Sequence, residues 1–250
     1  MKIAVLSDIH GNLAALDAVL ADRDRRGVDV TVNLGDILSG PLEPSATADR
    51  LMPLALPTVR GNHERQVLTQ TREEMNASDR FTVEQLRPEQ LAWLDGLPAT
   101  RPLSDEVLLV HATPHDDLTY FLETVVDESV RIATDAEVAS RAGGAGACSA
   151  QVILCGHTHV PRTVQLADGP LIINPGSVGL QAFDMDYPTP HFIEVGSPHA
   201  RYAIVERRAG SWHVEHHAVA YDWDAAAKLA ARNGRPDWAH ALRTGRALRG

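Results

Sequence analysis

Residues 151–161 read QVILCGHTHVP, an apolar run followed by a glycine and then by two histidines one residue apart. The apolar run predicts a short buried strand that ends near Cys155. In an extended segment alternate side chains point the same way, so His157 and His159 could reach a common region. A polar loop with two solvated histidines is the alternative, and this stretch alone does not decide between them. The choice between these two interpretations depends on which residues follow the other predicted strands.

The chain divides into a first half of alternating strand and helix patterns and a second half rich in strands. In the first half, strands are predicted at residues 2–6, 28–34 and 57–60, and residues 103–110 are predicted to be the end of one strand, a turn and a second strand. Helices are predicted at 12–25 and 84–97, and in the Ala-rich stretch 133–147 until the GGAG at 143–146 breaks the helix. In the second half, strands are predicted at residues 151–155, 163–166, 171–174, 202–208 and 212–220. Residues 184–199 are predicted to form a Pro-rich, insertion-like loop, which is either a surface excursion or a lid. Residues 222–250 are predicted to form a C-terminal helical segment. We therefore expect one α/β domain over residues 1–250.

Composition narrows the class of protein. The formal net charge is −10 and no Lys/Arg cluster is evident, which argues against nonspecific nucleic-acid binding. A small anionic substrate stays possible, because bound cations would reverse the local field. No apolar run approaches the roughly 20 residues that span a bilayer, and the N-terminus lacks a signal peptide's cleavage region. Cys148 and Cys155 form neither a disulfide framework nor a zinc-ribbon pattern, so we expect a cytoplasmic protein without a membrane partner.

Five of the predicted strands end in residues that can bind metal ions. α/β folds place ligands at the carboxyl ends of their strands, and here these ends carry Asp8, His10, Asp36, Asn62, His111, His157 and His159. Carboxylate, imidazole and amide donors without a thiolate suit manganese, iron, zinc or nickel. Seven such ligands exceed the needs of one ion and predict two ions that share a bridging carboxylate. Two ions about 3.5–4 Å apart serve in-line displacement at phosphorus.

The same residues form five motifs that resemble those of the calcineurin-like metallophosphoesterases, in the family's order. The motifs are DxH at 8–10, GD at 35–36, GNHE at 61–64, the lone His111 and GHTH at 156–159. The NPGS sequence at residues 174–177 is similar to the family's following turn. The resemblance implies the metallo-dependent phosphatase fold, a four-layer α/β/β/α sandwich of two mixed β-sheets flanked by helices.

The resemblance also implies a role for each position. One ion would be held by Asp8, His10 and His159, the other by Asn62, His111 and His157, and Asp36 would bridge them. The two histidines of the opening stretch would then serve different ions. His63 resembles the family's non-ligand histidine, which donates a proton to the leaving oxygen or stabilises phosphoryl charge; positioning of the phosphate is the alternative. The nucleophile would be a hydroxide held by the ions, with manganese expected and iron, zinc or nickel as alternatives.

Other polar residues have competing interpretations. Asn12 is a candidate substrate contact, but capping of the first helix explains it equally well. His115 is a second candidate, for which an ordinary loop position is the alternative. Glu64 is expected to support the site and not to act in catalysis. Residues 213–217 (HVEHH) place two histidines and a glutamate on one strand face, and a solvated face is preferred there over a metal site.

The motif context predicts which phosphate esters are cleaved. Protein phosphatases and symmetric dinucleoside-tetraphosphate hydrolases of the superfamily carry an arginine in GDxxDRG or a similar block, whereas residues 35–41 here read GDILSGP. Arg60, in VRGNHE, is expected to be structural. Without an arginine to grip a dianion, the chain resembles the small bacterial and archaeal phosphodiesterases, and we expect a small phosphodiester substrate. Phosphomonoesterase or protein phosphatase activity is the alternative, and a non-catalytic scaffold is disfavoured because all the ligands and His63 are present.

Overall fold

Two β-sheets form the centre of the computed structural model, which describes residues 1–143 and 150–249. The strands are β1 Lys2–Leu6, β2 Val30–Asn33, β3 Thr100–Pro102, β4 Val107–Val110, β5 Glu123–Val126, β6 Ser129–Ile132, β7 Val152–Leu154, β8 Arg162–Gln165, β9 Leu171–Asn174, β10 Ala182–Met185, β11 His191–Glu194, β12 Ala200–Arg208 and β13 Ser211–Val219. The helices are α1 Leu13–Asp24, α2 Pro44–Leu51, α3 Asn62–Thr69, α4 Ala77–Gln85, α5 Pro88–Asp95, α6 Asp135–Arg141, α7 Trp223–Arg232 and α8 Pro236–Thr244.

Both sheets are mixed, as predicted. The first has the order β13-β12-β1-β2, with β1 parallel to β2 and antiparallel to β12. The second has the order β3-β4-β7-β9-β8, with β4, β7 and β9 parallel to one another. Parallel strands end at the same edge of their sheet, so the residues that follow β1 and β2, and those that follow β4 and β7, are brought together.

Alternation along β1 shows how the layers pack. Ile3 and Val5 face the second sheet and join a core with residues such as Leu109 of β4. Ala4 and Leu6 face the other way and pack against α1. On the outside of the second sheet, α6 covers a separate apolar cluster, and α7 and α8 pack together against the start of β10. The predicted α/β/β/α sandwich is therefore confirmed.

Two stretches have a structure that differs from the sequence prediction. Residues 57–60 do not form a strand and make only an isolated parallel bridge, between Asn33 and Thr58. Residues 184–199 are not a loop, because β10 and β11 pair in antiparallel register as a hairpin within and beside that stretch. The helix expected in residues 133–147 is α6, and it ends at Arg141, before the GGAG sequence predicted to break it. Residues 144–147 and Cys148 lie outside the described residues, and Cys155 is a buried free thiol.

Within residues 1–143 and 150–249, we find no helix with the length and apolar composition needed to cross a bilayer.

Asp22, a largely buried carboxylate on α1, ties that helix to the first sheet. Its oxygens accept hydrogen bonds from Tyr202 Oη at 2.7 Å, Arg26 Nε at 2.7 Å and Arg25 Nη2 at 2.7 Å. Burial raises the pKa of Asp22, but the hydrogen bonds from Arg26 and Tyr202 outweigh burial and lower it from 3.8 to about 2. The carboxylate therefore stabilises the fold at neutral pH.

We expect Asp22→Asn to lower the free energy of unfolding by about 2 kcal/mol at pH 7. Because the folded pKa lies below the unfolded one, this contribution is present in full above pH 5 and is lost as pH falls toward 2, with about half gone at pH 3. Urea unfolding at pH 7, 5 and 3 measures the difference. Asp24→Asn, at a more exposed carboxylate of the same helix, is the control. A penalty for Asp22→Asn that does not shrink at pH 3 would contradict this assignment.

Candidate metal centre

The predicted ligands meet at one edge of the two sheets. Asp8 and His10 follow β1, Asp36 follows β2, Asn62 begins α3, His111 follows β4, and His157 and His159 follow β7. Each of the seven residues is at most 7 % exposed, which is unusual for polar and ionisable side chains. The strand ends thus concentrate buried donors in one place.

These side chains form two groups with the spacing of metal ligands. In one group Asp8, His10 and His159, and in the other Asp36, His111 and His157, each offer a donor atom within 4.8 Å of the others. Asn62 joins the second group, because its Oδ1 lies 3.1 Å from His111 Nε2. The structure therefore brings the seven residues together in two adjacent groups, with Asp36 in the second.

The hydrogen bonds of the first group leave two lone pairs facing each other. His10 Nδ1 lies 2.7 Å from the Ser39 carbonyl oxygen, and His159 Nδ1 lies 2.6 Å from that of Leu180. A carbonyl oxygen can only accept, so each Nδ1 carries the proton and each Nε2 is bare. These two Nε2 atoms are 3.1 Å apart in a buried site. Such an arrangement is repulsive unless a cation lies beside both nitrogens.

Backbone carbonyl oxygens also orient the two histidine rings of the second group. His111 Nδ1 donates to the Leu34 carbonyl oxygen at 2.7 Å, so its Nε2 is the nitrogen that faces Asp36 Oδ2 at 3.2 Å and the Asn62 amide oxygen. His157 instead donates from Nε2 to the Leu118 carbonyl oxygen at 2.9 Å, which leaves Nδ1 as the ligand atom. Backbone carbonyls thus select the coordinating nitrogen of each histidine.

The pKa values of these side chains in the metal-free protein also fit a metal site. Burial lowers the pKa of His10 and of His157 to about 4, so both rings are neutral and able to coordinate. Burial also disfavours a charged His111, but the Asp36 carboxylate outweighs it and raises the pKa of His111. A proton on His111 therefore takes the place of a cation beside Asp36. Donor type, burial and charge all fit divalent metal ions.

The backbone at the ligands is strained in a repeated way. Five of the seven have a left-handed φ, between 52° and 69°, and these are Asp8, His10, Asp36, His157 and His159. Each such non-glycine residue costs about 1–3 kcal/mol, and residues of this kind cluster at functional sites. In both the DxH and the HTH segments, the first and third residues have the left-handed conformation. This conformation directs both of these side chains into the same site.

Glu64 holds the loops that carry Asp36 and the GNHE motif. Its carboxylate accepts backbone N–H bonds from Asp36 at 2.8 Å, Ile37 at 2.8 Å and Gly61 at 2.7 Å. A side chain at Gly61 would collide with Asp36 Oδ1, so glycine is required for this close approach. Glu64 therefore has the supporting position that the sequence indicated.

His63 has a partner that the sequence did not reveal. Its Nδ1 lies 2.8 Å from Asp79 Oδ1 on α4, and Asp79 also accepts from Ser39 Oγ at 2.6 Å and from Asn76 Nδ2 at 2.6 Å. Burial disfavours a charged His63, but Asp36 and Asp79 outweigh it and raise the pKa of the imidazole to about 9. Asp79 is fully buried and orients the ring. Asn76 and Asp79 look like an ordinary helix start in sequence, and no pattern links them to His63.

The two substrate-contact candidates lie in different surroundings. Asn12 caps α1, since its Oδ1 accepts from Ala15 N at 3.2 Å, and its Nδ2 donates to Gly179 O at 2.9 Å. These are the contacts of the capping alternative, and Asn12 does not line the main pocket above the ligands. His115 is exposed and lines a second cavity, together with Arg60 and the buried His111. Its contact with substrate stays a prediction.

The histidine-rich face of β13 does not form a metal site in the described part of the chain. Among residues 1–143 and 150–249, only the two groups above bring together three side chains that could hold a metal ion. His217 instead stacks on Tyr202, with ring centroids 4.9 Å apart.

Comparison with known proteins places this geometry in a family. Residues 1–195 match the sequence profile described as the calcineurin-like phosphoesterase superfamily domain, so the chain belongs to that superfamily. It is 28% identical over 253 residues to the uncharacterized protein MJ0912 of Methanocaldococcus jannaschii, covering 94% of both chains. The family and the two donor groups support a metal-dependent phosphoesterase.

Solved structures agree over almost the whole chain. A metallophosphoesterase from Sphaerobacter thermophilus is 26% identical, with a TM-score of 0.74, covering 98% of this chain and 99% of that one. The hypothetical protein PH1004 from Pyrococcus horikoshii OT3 is 18% identical, with a TM-score of 0.75 and 99% of each chain covered, and shows the fold alone.

Proposed function

We propose that the chain is a dinuclear metal-dependent phosphodiesterase that acts on small phosphodiesters in the cytoplasm, with manganese as the first ion to test. The observation that carries the proposal is the pair of adjacent buried donor groups. In particular, the bare Nε2 atoms of His10 and His159 lie 3.1 Å apart. Asp36, whose Oδ2 faces His111, is proposed as the carboxylate shared by the two ions.

Protein side chains supply the proton transfer in this proposal. When bound, the two ions supply Lewis-acid polarisation of the phosphoryl oxygens and an activated water nucleophile. Asp79 holds a proton on His63 Nδ1, which leaves Nε2 as the nitrogen that can reach a substrate in the pocket that His63 lines. We propose that His63 Nε2 donates a proton to the leaving oxygen.

The preference for diesters rests on the scarcity of free cationic side chains. Arg235 is the one Lys or Arg residue among the described residues that line the pocket. Its guanidinium is already bound by Asp237 and by Ser78 Oγ at 2.8 Å. A monoester dianion needs more cationic contacts than a diester monoanion, so the pocket favours the diester.

Hydrolysis of two p-nitrophenyl esters tests the proposal. Metal-stripped protein reloaded with Mn²⁺ is expected to cleave bis-p-nitrophenyl phosphate about tenfold faster than p-nitrophenyl phosphate, the effect of roughly one missing charge-assisted hydrogen bond. Stripping should abolish both activities, and Mn²⁺ should restore them. Faster cleavage of the monoester, or of a phosphopeptide, would contradict the diester preference. No turnover of either ester by protein with two bound ions would contradict catalysis and favour a scaffold.

A further inference from the structure

The pocket above the metal ligands has a floor and walls of different chemistry. Its volume is about 270 Å³, slightly below the roughly 300–1,000 Å³ of common small-molecule sites. The floor is made of His63 and the predicted ligands, except Asp8 and His111. The walls come from the start of α4, from β10, from α8 and from the C-terminal residues Ala247 and Leu248. A pocket of this size admits a small ester and not the surface of a folded protein.

One side of the pocket wall is apolar, and two of its aromatic rings contact the candidate metal ligands. The ring of Phe183, on β10, meets that of His159 edge-on at 4.7 Å between centroids. Trp238, on α8, meets His10 edge-on at 5.8 Å. A phosphate held on the floor would therefore carry its ester groups directly against aromatic rings.

Further out, the same wall leaves apolar side chains open to solvent. Met185 is 38% exposed and Leu248 is 46% exposed, and both line the pocket. Apolar surface of this kind gains free energy when a ligand group covers it, in proportion to the area removed from water. The wall therefore favours an apolar or aromatic group next to the phosphate.

The charges of the wall oppose a second anion. Arg235 lies over the Trp238 ring at 5.6 Å, and its guanidinium is paired with the Asp237 carboxylate at 2.6 Å. Asp184, which also lines the pocket, adds a second carboxylate. One cation thus faces two anions, and a ligand that brings another phosphate or carboxylate to this wall would be repelled.

From these observations we infer that the pocket selects phosphodiesters in which one ester group is uncharged and aromatic, such as a phenyl or nucleobase-bearing group. The same wall discriminates against diesters that carry a second anionic group. The inference rests on the proposed function, because it describes substrates of that same site.

Direct binding of three small diesters to the full-length Mn²⁺-loaded protein tests the inference by calorimetry. The probes are dimethyl phosphate, methyl phenyl phosphate and methyl 4-carboxyphenyl phosphate. We expect the phenyl ester to bind at least about tenfold more tightly than dimethyl phosphate, since covering an aromatic ring contributes more than 1.4 kcal/mol. The carboxylate of the third probe should remove most of that gain, and Asp184→Asn should restore part of it.

A pair of matched variants locates the selectivity. Met185→Ser with Leu248→Ser should reduce the affinity advantage of the phenyl ester over dimethyl phosphate about threefold or more. Val126→Ser with Ile132→Ser, at side chains 42% and 58% exposed that do not line the pocket, should change neither affinity.

Several outcomes would overturn the inference. Equal affinity for the phenyl and dimethyl esters, or tighter binding of the carboxyphenyl ester, would contradict it while bis-p-nitrophenyl phosphate hydrolysis still supported the proposed function. Failure of the protein to bind any of the three diesters would contradict both the inference and the proposed function.

Discussion

Asp36→Asn is expected to lower hydrolysis of bis-p-nitrophenyl phosphate by about a thousandfold or more, because it removes the one carboxylate proposed to serve both ions. Asp36 is 2% exposed, and its Oδ1 accepts the backbone N–H of His63 at 3.0 Å. An asparagine amide oxygen can keep that bond. Without the Asp36 carboxylate, His111 loses the charge that holds a proton on Nε2, so the asparagine amide nitrogen can donate to it. The substitution should therefore remove charge without breaking the local fold.

The metal content of this variant separates loss of charge from loss of structure. We expect fewer than two Mn²⁺ per chain and a melting temperature of the metal-free protein within about 4 °C of wild type. Asp168→Asn, at an exposed carboxylate in the turn between β8 and β9, should keep both ions and full activity. An Asp36→Asn protein that binds two ions and hydrolyses the diester at the wild-type rate would refute the bridging role.

Asp79→Asn should slow hydrolysis in proportion to how badly the leaving group needs a proton. Asp79 accepts from His63 Nδ1, and replacing the carboxylate removes the partner that holds a proton there. For bis-p-nitrophenyl phosphate, whose leaving group departs readily as an anion, we expect kcat to fall less than about tenfold. For diphenyl phosphate, which leaves a more basic phenolate, we expect a fall of about 10²–10³-fold, within the range of about 10²–10⁴-fold that is usual for general acid catalysis.

The comparison of the two esters is the measurement, since a general structural defect would slow both equally. His63→Ala should show the same dependence on the leaving group. Glu84→Gln, on the same helix at an exposed position paired with Arg72, should affect neither ester. An equal loss for both esters in Asp79→Asn, with two ions still bound, would contradict the role of Asp79 in proton transfer by His63.

The sequence predicts that the seven candidate ligands lie together, because parallel strands bring their carboxyl ends to one edge of a sheet. Asp8 and His111 are 103 residues apart in the sequence, yet both follow strands whose apolar runs are plain in the sequence. Their positions after the strands predicted one shared site, whereas the division into two sets and the four-layer fold were implied by the family resemblance. The sequence does not show which nitrogen of His157 would coordinate, because that depends on the hydrogen bond from its Nε2 to the Leu118 carbonyl oxygen.

The parts that the sequence missed depend on packing between distant elements. Asp79 reaches His63 because α4 packs beside α3, and neither residue carries a signal for the other. The hairpin of β10 and β11 was hidden because Pro188 and Pro190 in its turn made the stretch look like a loop. The pocket walls join β10, α8 and Leu248, which belong to no motif and meet only in the folded chain.

Anomalous diffraction from crystals of the Mn²⁺-loaded protein tests the dinuclear site most directly. We predict two manganese peaks about 3.5–4 Å apart, with Asp36 between them. One peak should lie among Asp8, His10 and His159, and the other among Asn62, His111 and His157. A single peak, or two peaks that do not share Asp36, would contradict a dinuclear phosphodiesterase centre.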